Sequence, residues 1–211
     1  MAQPKKLILM SVIFFAVLAW SGFRPHDRLT WFLEVFPALG YFIFLAVFYR
    51  KFRFTTLVYF LVLVHSIILM IGGKYTYAEV PLFNWIRDTF HTARNSYDGV
   101  GHFAQGFVPA LLIREVLLRK TPLKRGGWLF FIALSICLAI SAFYELFDWW
   151  VSLATGSSGD AFLGTQGDVW DTQKDMALCL LGAFVALLTL SKVQDRALER
   201  MPKFSTNPIF P

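Results

Sequence analysis

The sequence predicts an all-α fold, a polytopic membrane bundle of about six transmembrane helices with both termini cytoplasmic. Three observations predict it. Apolar residues make up 56% of the 211 residues and charged residues only 16%. Soluble domains carry about 25% charged residues, so most of this surface cannot face water. The apolar residues also fall in runs close to the ~20 that cross a ~30 Å hydrocarbon core. Finally, Lys and Arg gather in alternate connections, as they do in membrane proteins. The buried core of a large soluble protein also yields apolar runs, but not this many in so short a chain.

The elements follow in order. An apolar run at 7–23 begins just after Lys5 and Lys6. A basic start followed by an apolar stretch also describes a signal peptide; this one is long for that, and more spans follow, so it reads as an uncleaved anchor. Further spans are expected at 30–49, 54–71, 98–118, 127–153 and 171–191, in a single membrane domain over 1–211. The connection 72–97 is too polar to cross, although 82–92 suits a short interfacial helix. A Gly/Ser-rich loop at 154–170 leads into the last span, and the tail after Gln194 is polar and ends in a Pro-containing stretch expected to be mobile.

Charge sets the orientation. Lys5, Lys6, Arg50, Lys51, Arg53, Arg119, Lys120, Lys124, Arg125 and the basic tail share one side. Arg24, Arg28, Lys74, Arg87, Arg94 and Lys174 lie on the other, in about half the number, which places both termini in the cytoplasm. The formal charge of +6 is explained by these loops. No nucleic-acid module is recognisable, so the partner implied is the lipid bilayer. Cys137 and Cys179 both fall inside apolar runs and read as small packing residues.

In this topology three helix ends bring acids to the outer face. Asp98, His102 and Gln105 stand at i, i+4 and i+7, one face of a helix. Ser141, Glu145 and Asp148 repeat the spacing, and Asp168, Asp171 and Asp175 repeat it again if the last helix starts that early. Charged groups inside a membrane protein normally face the bundle interior or a wet cavity, so these three faces should point at one another. That many carboxylates around one imidazole do not all remain ionised: either some are protonated or a cation compensates them. The cation is Arg94, Lys74, Arg87, Lys174 or a bound metal. Oxygen ligands suit Mg²⁺, Ca²⁺ or Mn²⁺, and His102 extends the choice to Zn²⁺ or Fe²⁺. The candidate ligands are Asp98, His102, Glu145, Asp171 and Asp175, and a strict metal signature such as H-E-x-x-H is not present. The same residues also read as a structural network of paired charges that fixes helix order.

Other polar residues read more simply. His65 is expected to be an interhelical hydrogen-bonding residue, and Glu34 either joins the cluster or reaches the interface. Trp85, Tyr97, Trp149, Trp150 and Trp170 are expected in an outer aromatic belt. His91 lies outside the cluster unless its short helix folds back. Gly164, Gly167 and their neighbours permit a tight turn whose N–H groups could cradle an anion.

The motifs resemble a known family. Gly72-Gly73-Lys74-Tyr75-Thr76-Tyr77, Tyr97-Asp98-x-x-Gly101-His102-Phe103-x-Gln105-Gly106, Tyr144-Glu145-x-x-Asp148-Trp149 and the run from Leu163 to Met176 resemble the YjdF family of bacterial inner membrane proteins. The resemblance spans nearly the whole chain. It implies a multi-pass inner membrane location in a Gram-negative bacterium and brings no activity with it. A more distant similarity is to VanZ-like membrane proteins, linked to glycopeptide antibiotic tolerance. Their Asp-x-x-x-His-Phe pattern is met by Asp98, His102 and Phe103; their later Asp-x-x-x-Asn pattern is met only by Asp171, with Asp175 in place of the asparagine. Gly99 stands where a lysine is usual.

Three functions are compatible with these residues. One is a metal-dependent enzyme acting on a lipid or envelope precursor, with Asp98, His102, Glu145, Asp148, Asp171 and Asp175 as ligands or acid–base groups. The second is an ion- or proton-coupled transporter, although the visible repeat and midplane site common in such folds are missing. The third is a non-catalytic envelope protein held together by its polar network.

Overall fold

The computed structural model describes residues 4–155 and 166–201, and among these there are helices and turns but no strand. Seven α-helices follow one another among the described residues: α1 (Pro4–Gly22), α2 (Arg28–Phe48), α3 (Thr56–Tyr75), α4 (Pro81–Phe90), α5 (Tyr97–Lys120), α6 (Gly127–Thr155) and α7 (Asp171–Glu199). Their starts are chemically marked. Asp27 caps α2 by accepting from the Thr30 N–H at 2.7 Å, Thr55 caps α3, and Pro81 opens α4 where a missing N–H costs nothing.

Five helices (α1, α2, α3, α6 and α7) are long and apolar enough to cross a membrane. The expected span at 98–118 is α5, whose 24 residues reach about 36 Å at 1.5 Å per residue. It is too polar to qualify by composition, because its charges lie at its two ends and are turned inward. His102, Arg114 and Glu115 are all buried. The protein is thus a polytopic helical membrane protein in which the polar helix α5 packs against three others.

Two boundaries differ from the sequence reading. Gly72, Gly73 and Lys74 continue α3 instead of opening a loop, since the Tyr77 ring lies against the bare Cα of Gly72 and of Gly101. The last helix also runs about two turns beyond 191, because its polar end is bonded to α5. The short interfacial helix is α4, close to the range expected. Tyr97 is not a belt residue: it is buried against Tyr77 and Phe83, and its hydroxyl donates to the Ile68 carbonyl at 2.9 Å. Trp85, Trp149, Trp150 and Trp170 are exposed, as a belt requires.

α5 is the hub, packing on α3, α6 and α7; α3 in turn carries α1 and α2, and α6 packs on α7. Lipid tails are as apolar as leucine, so helices associate here through close fit. The α5–α7 crossing shows how. A Cβ added to Gly106 would strike the Cys179 carbonyl, and one added to Gly182 would strike that of Phe103. The two backbones touch because both residues lack a side chain. Cys137 and Cys179 fill the layer beside this crossing as free, buried thiols.

A second polar network holds the opposite, basic end. Glu115 accepts from the Thr55 N–H at 3.0 Å, the Thr55 hydroxyl at 2.8 Å and Arg119 at 2.8 Å. Arg114 donates to Gln194 and Asp195, while Gln194 donates to the Leu111 carbonyl. The start of α3 and the ends of α5 and α7 are joined there.

Candidate functional site

At the other end of the bundle, α2, α3, α5, α6 and α7 surround a cavity of about 140 Å³. All six of the singled-out acids and bases, Asp98, His102, Glu145, Asp148, Asp171 and Asp175, line it together with Glu34 and His65. The i, i+4 spacing works as expected on α5, where His102 Nε2 lies 3.4 Å from Asp98 Oδ1. From α7, Asp175 Oδ2 comes within 3.9 Å of the same nitrogen. From α6, Glu145 Oε1 stands 3.8 Å from His102 Nδ1. Asp98, His102 and Asp175 each offer one ligand atom, and the three atoms lie within 4.8 Å of one another.

Gln105 orients the imidazole. Its side-chain oxygen is 2.9 Å from His102 Nδ1. With Nδ1–H donating to that oxygen, Nε2 carries the lone pair and faces Asp98 and Asp175. An amide or carboxylate behind a ligating histidine is the usual way its tautomer is fixed. Asp175 is 2% exposed and its Oδ1 has no partner. Glu145 Oε1 and Asp148 Oδ1 are likewise buried without a hydrogen-bond partner. Buried polar atoms are ordinarily satisfied, so these mark a place that a ligand would complete.

The four cations offered by the sequence do not enter this inner group. Arg94 sits at the mouth, bonded to Asp171 and 3.6 Å from Asp168. Lys174 pairs with Asp168 at 2.5 Å. Lys74 instead donates to the Trp20 and Phe23 carbonyls at the end of α1, and Arg87 pairs with its neighbour Asp88. Asp171 is therefore neutralised from outside, whereas among the described residues Asp98, Glu145 and Asp175 have His102 as their one ion-pair partner.

Asp168 corrects one expectation. It lies in the turn before α7, which begins at Asp171, so it does not continue that helix face. Its hydrogen bond from Lys174 holds its carboxyl below the ordinary value of 3.8. Gln166 and Gly167 both take left-handed backbone conformations there, while Gly164 and Thr165 lie outside the described residues. Gln166 pairs with the backbone of Asn95 in both directions, donating to its carbonyl and accepting from its N–H, each at 3.0 Å. Asn95, fully buried, donates to the Val80 carbonyl and to Asn84 and accepts from the Tyr97 N–H. This clasp ties the turn before α7 to the segment before α5. Asn84 and Asn95 were not singled out from sequence, because a lone asparagine between helices looks like any other loop residue.

Glu34 joins the cavity, as one of its two expected readings had it. His65 departs from expectation: it is 2% exposed, lines the cavity beside the Tyr41 ring, and neither ring nitrogen has a partner. His91 ends α4 in a left-handed conformation, exposed and away from the cavity. Ser141 is buried beside the cavity without lining it.

The family described as "Predicted membrane protein (DUF2238)" matches residues 6–196. The chain is also similar to inner membrane protein YjdF of Escherichia coli (strain K12), with 45% identity over 184 residues, 87% of this chain and 88% of that protein. No solved structure matches it.

Proposed function

The chain belongs to the DUF2238 family of membrane proteins, and from that premise and the cavity's chemistry we propose that it is a metal-dependent inner membrane enzyme acting on a lipid or envelope precursor at the outer face. The observation that carries this reading is the convergence of Asp98, His102 and Asp175 within 4.8 Å in a cavity lined by no Lys or Arg among the described residues. Two carboxylates and one neutral imidazole match the charge and donor preference of Mn²⁺, Zn²⁺ or Fe²⁺. Such an ion supplies a Lewis acid and lowers the pKa of a bound water.

The chain's own residues have distinct parts in this reading. Asp98, His102 and Asp175 would hold the ion, with Gln105 orienting His102. Glu145 and Asp148 remain free to accept a proton from the attacking water and deliver one to the leaving group. Asp171, tied to Arg94, sets the outer edge of the site. The orientation given by the Lys and Arg distribution turns this end outward.

A carrier is the less favoured reading. Ala110, Leu111, Ala133, Cys137, Cys179 and Ala183 form a buried apolar cluster between α5, α6 and α7, which weighs against an ion path there. The test is conversion of lipids in vesicles made from a Gram-negative inner membrane extract. The reconstituted protein is supplied with Mn²⁺ or Zn²⁺, and products are followed by mass spectrometry. Metal-dependent turnover that disappears in a folded His102→Gln variant is expected. Absence of any product from metal-replete wild type contradicts the enzyme reading.

A further inference from the structure

The cavity is walled by α2, α3, α5 and α6, with α7 behind them. Three seams of that wall are closed by packing: α2 on α3, α3 on α5, and α5 on α6. The fourth, between α2 and α6, is not a packed pair. Pro37 and Tyr41 border it from α2, and Ile140 and Tyr144 from α6, each pair at i, i+4 and all four lining the cavity. Ile140 is 43% exposed, and its neighbours Phe143 and Leu146 face outward as well. At the aqueous end, the lining residue Asp171 is tied to Arg94, and the turn before α7 is tied to Asn95 through Gln166. The open side of the cavity therefore faces lipid.

Its contents set the class of ligand. A cavity of about 140 Å³ is close in size to one that holds a single benzene ring, room for a glycerol-sized group and not for a whole lipid. His65 offers two unpartnered ring nitrogens, one donor and one acceptor in the neutral ring, which a hydroxyl group satisfies together. The carboxylates beyond it are acceptors for further hydroxyls.

We infer that the α2–α6 seam is a lateral entrance for a membrane lipid with a hydroxyl-bearing head group. The head occupies the cavity against His65 and the acid cluster, and the apolar chain stays in the seam between Pro37, Tyr41, Ile140 and Tyr144. This rests on the reading of the cavity as the substrate site. It explains how a polar centre is reached from the lipid side.

Photolabelling tests it. The full chain is reconstituted with phosphatidylglycerol carrying a diazirine in the head group or, separately, in the acyl chain. Head-group label is expected on cavity residues around His65 and Tyr144, and acyl label on both borders of the seam. Ile140→Trp, at a lipid-exposed position, fills the entrance and reduces cavity labelling by about tenfold, equivalent to 1.4 kcal/mol in occupancy; Ile140→Ala leaves it intact. Head-group label confined to ordinary lipid-facing residues such as Phe60 and Phe131, or cavity label indifferent to Ile140→Trp, overturns the inference. Repeating the experiment with EDTA separates the two readings. Seam-dependent label that persists in EDTA supports the entrance whether or not the metal reading holds. Stoichiometric metal binding with no cavity label overturns the entrance alone.

Discussion

His102 on α5 and Asp175 on α7 approach to 3.9 Å because their helices cross with backbones in contact. Gly106 lies one turn past His102 and Gly182 two turns past Asp175, and neither tolerates a Cβ against the opposing carbonyl. The site and the tightest packing in the bundle are thus one feature. Gly106→Ala or Gly182→Ala must separate the helices, and overpacking of this kind costs about 2 kcal/mol. The expected outcome is a lowered unfolding midpoint in detergent together with weakened metal binding. A variant with native stability and full metal content would show that the crossing does not position the site.

The clasp between Asn95 and Gln166 gives a second expectation. Asn95→Ala removes a buried side chain that makes three hydrogen bonds to Val80, Asn84 and Tyr97, stranding backbone groups at a cost of about 2–3 kcal/mol. Gln166→Ala leaves only two groups at the edge without their partner and should cost about half that. Amide exchange over 166–170 should rise in both variants, with the rest of the bundle unchanged in Gln166→Ala.

Acid should loosen the same turn. Lys174, by hydrogen bonding to Asp168, holds that carboxyl below its ordinary 3.8. A depressed folded-state pKa means the stabilisation is fully present above the unfolded value and is lost as pH falls through the folded one. Protection of amides 166–170, corrected for intrinsic exchange rates, should therefore drop as pH is lowered below 3.8. Asp168→Asn should start from lower protection and lack that transition.

The opposite end of the bundle provides a control. Glu115 is fully buried and bonded to Thr55 and Arg119. Removing one member of such a group leaves the rest uncompensated, so Glu115→Ala should destabilise the protein by about 3 kcal/mol. Glu115→Gln, which keeps an acceptor, should cost less. Metal content should stay at the wild-type level in whichever variant folds, since no group of this network lines the cavity.

These relationships were unequally legible in the sequence. Run length was enough to place the long helices, five of which are apolar enough to cross a membrane. The i, i+4 and i+7 spacings sufficed to predict that α5, α6 and α7 present acids to one end. What spacing could not show was which acids share an inner group and which are neutralised at the rim. Arg94 and Lys174 both looked available to the whole cluster, yet tertiary geometry spends them on Asp168 and Asp171. The Glu115 and Arg114 networks were hidden for a related reason, since charges near a span's basic end read as ordinary loop charge. Gly106 and Gly182 carried no signal apart from the helix that each one meets.

The most direct test of the central claim is metal analysis of the purified protein under metal-replete conditions. Wild type is compared with an Asp98→Ala/His102→Ala double variant and with Asp175→Asn, each first shown to unfold cooperatively. Stoichiometric divalent metal in wild type, absent from the double variant and weakened in Asp175→Asn, is the predicted result. No metal in wild type, or the same metal content in all three, would contradict a metal site at Asp98, His102 and Asp175.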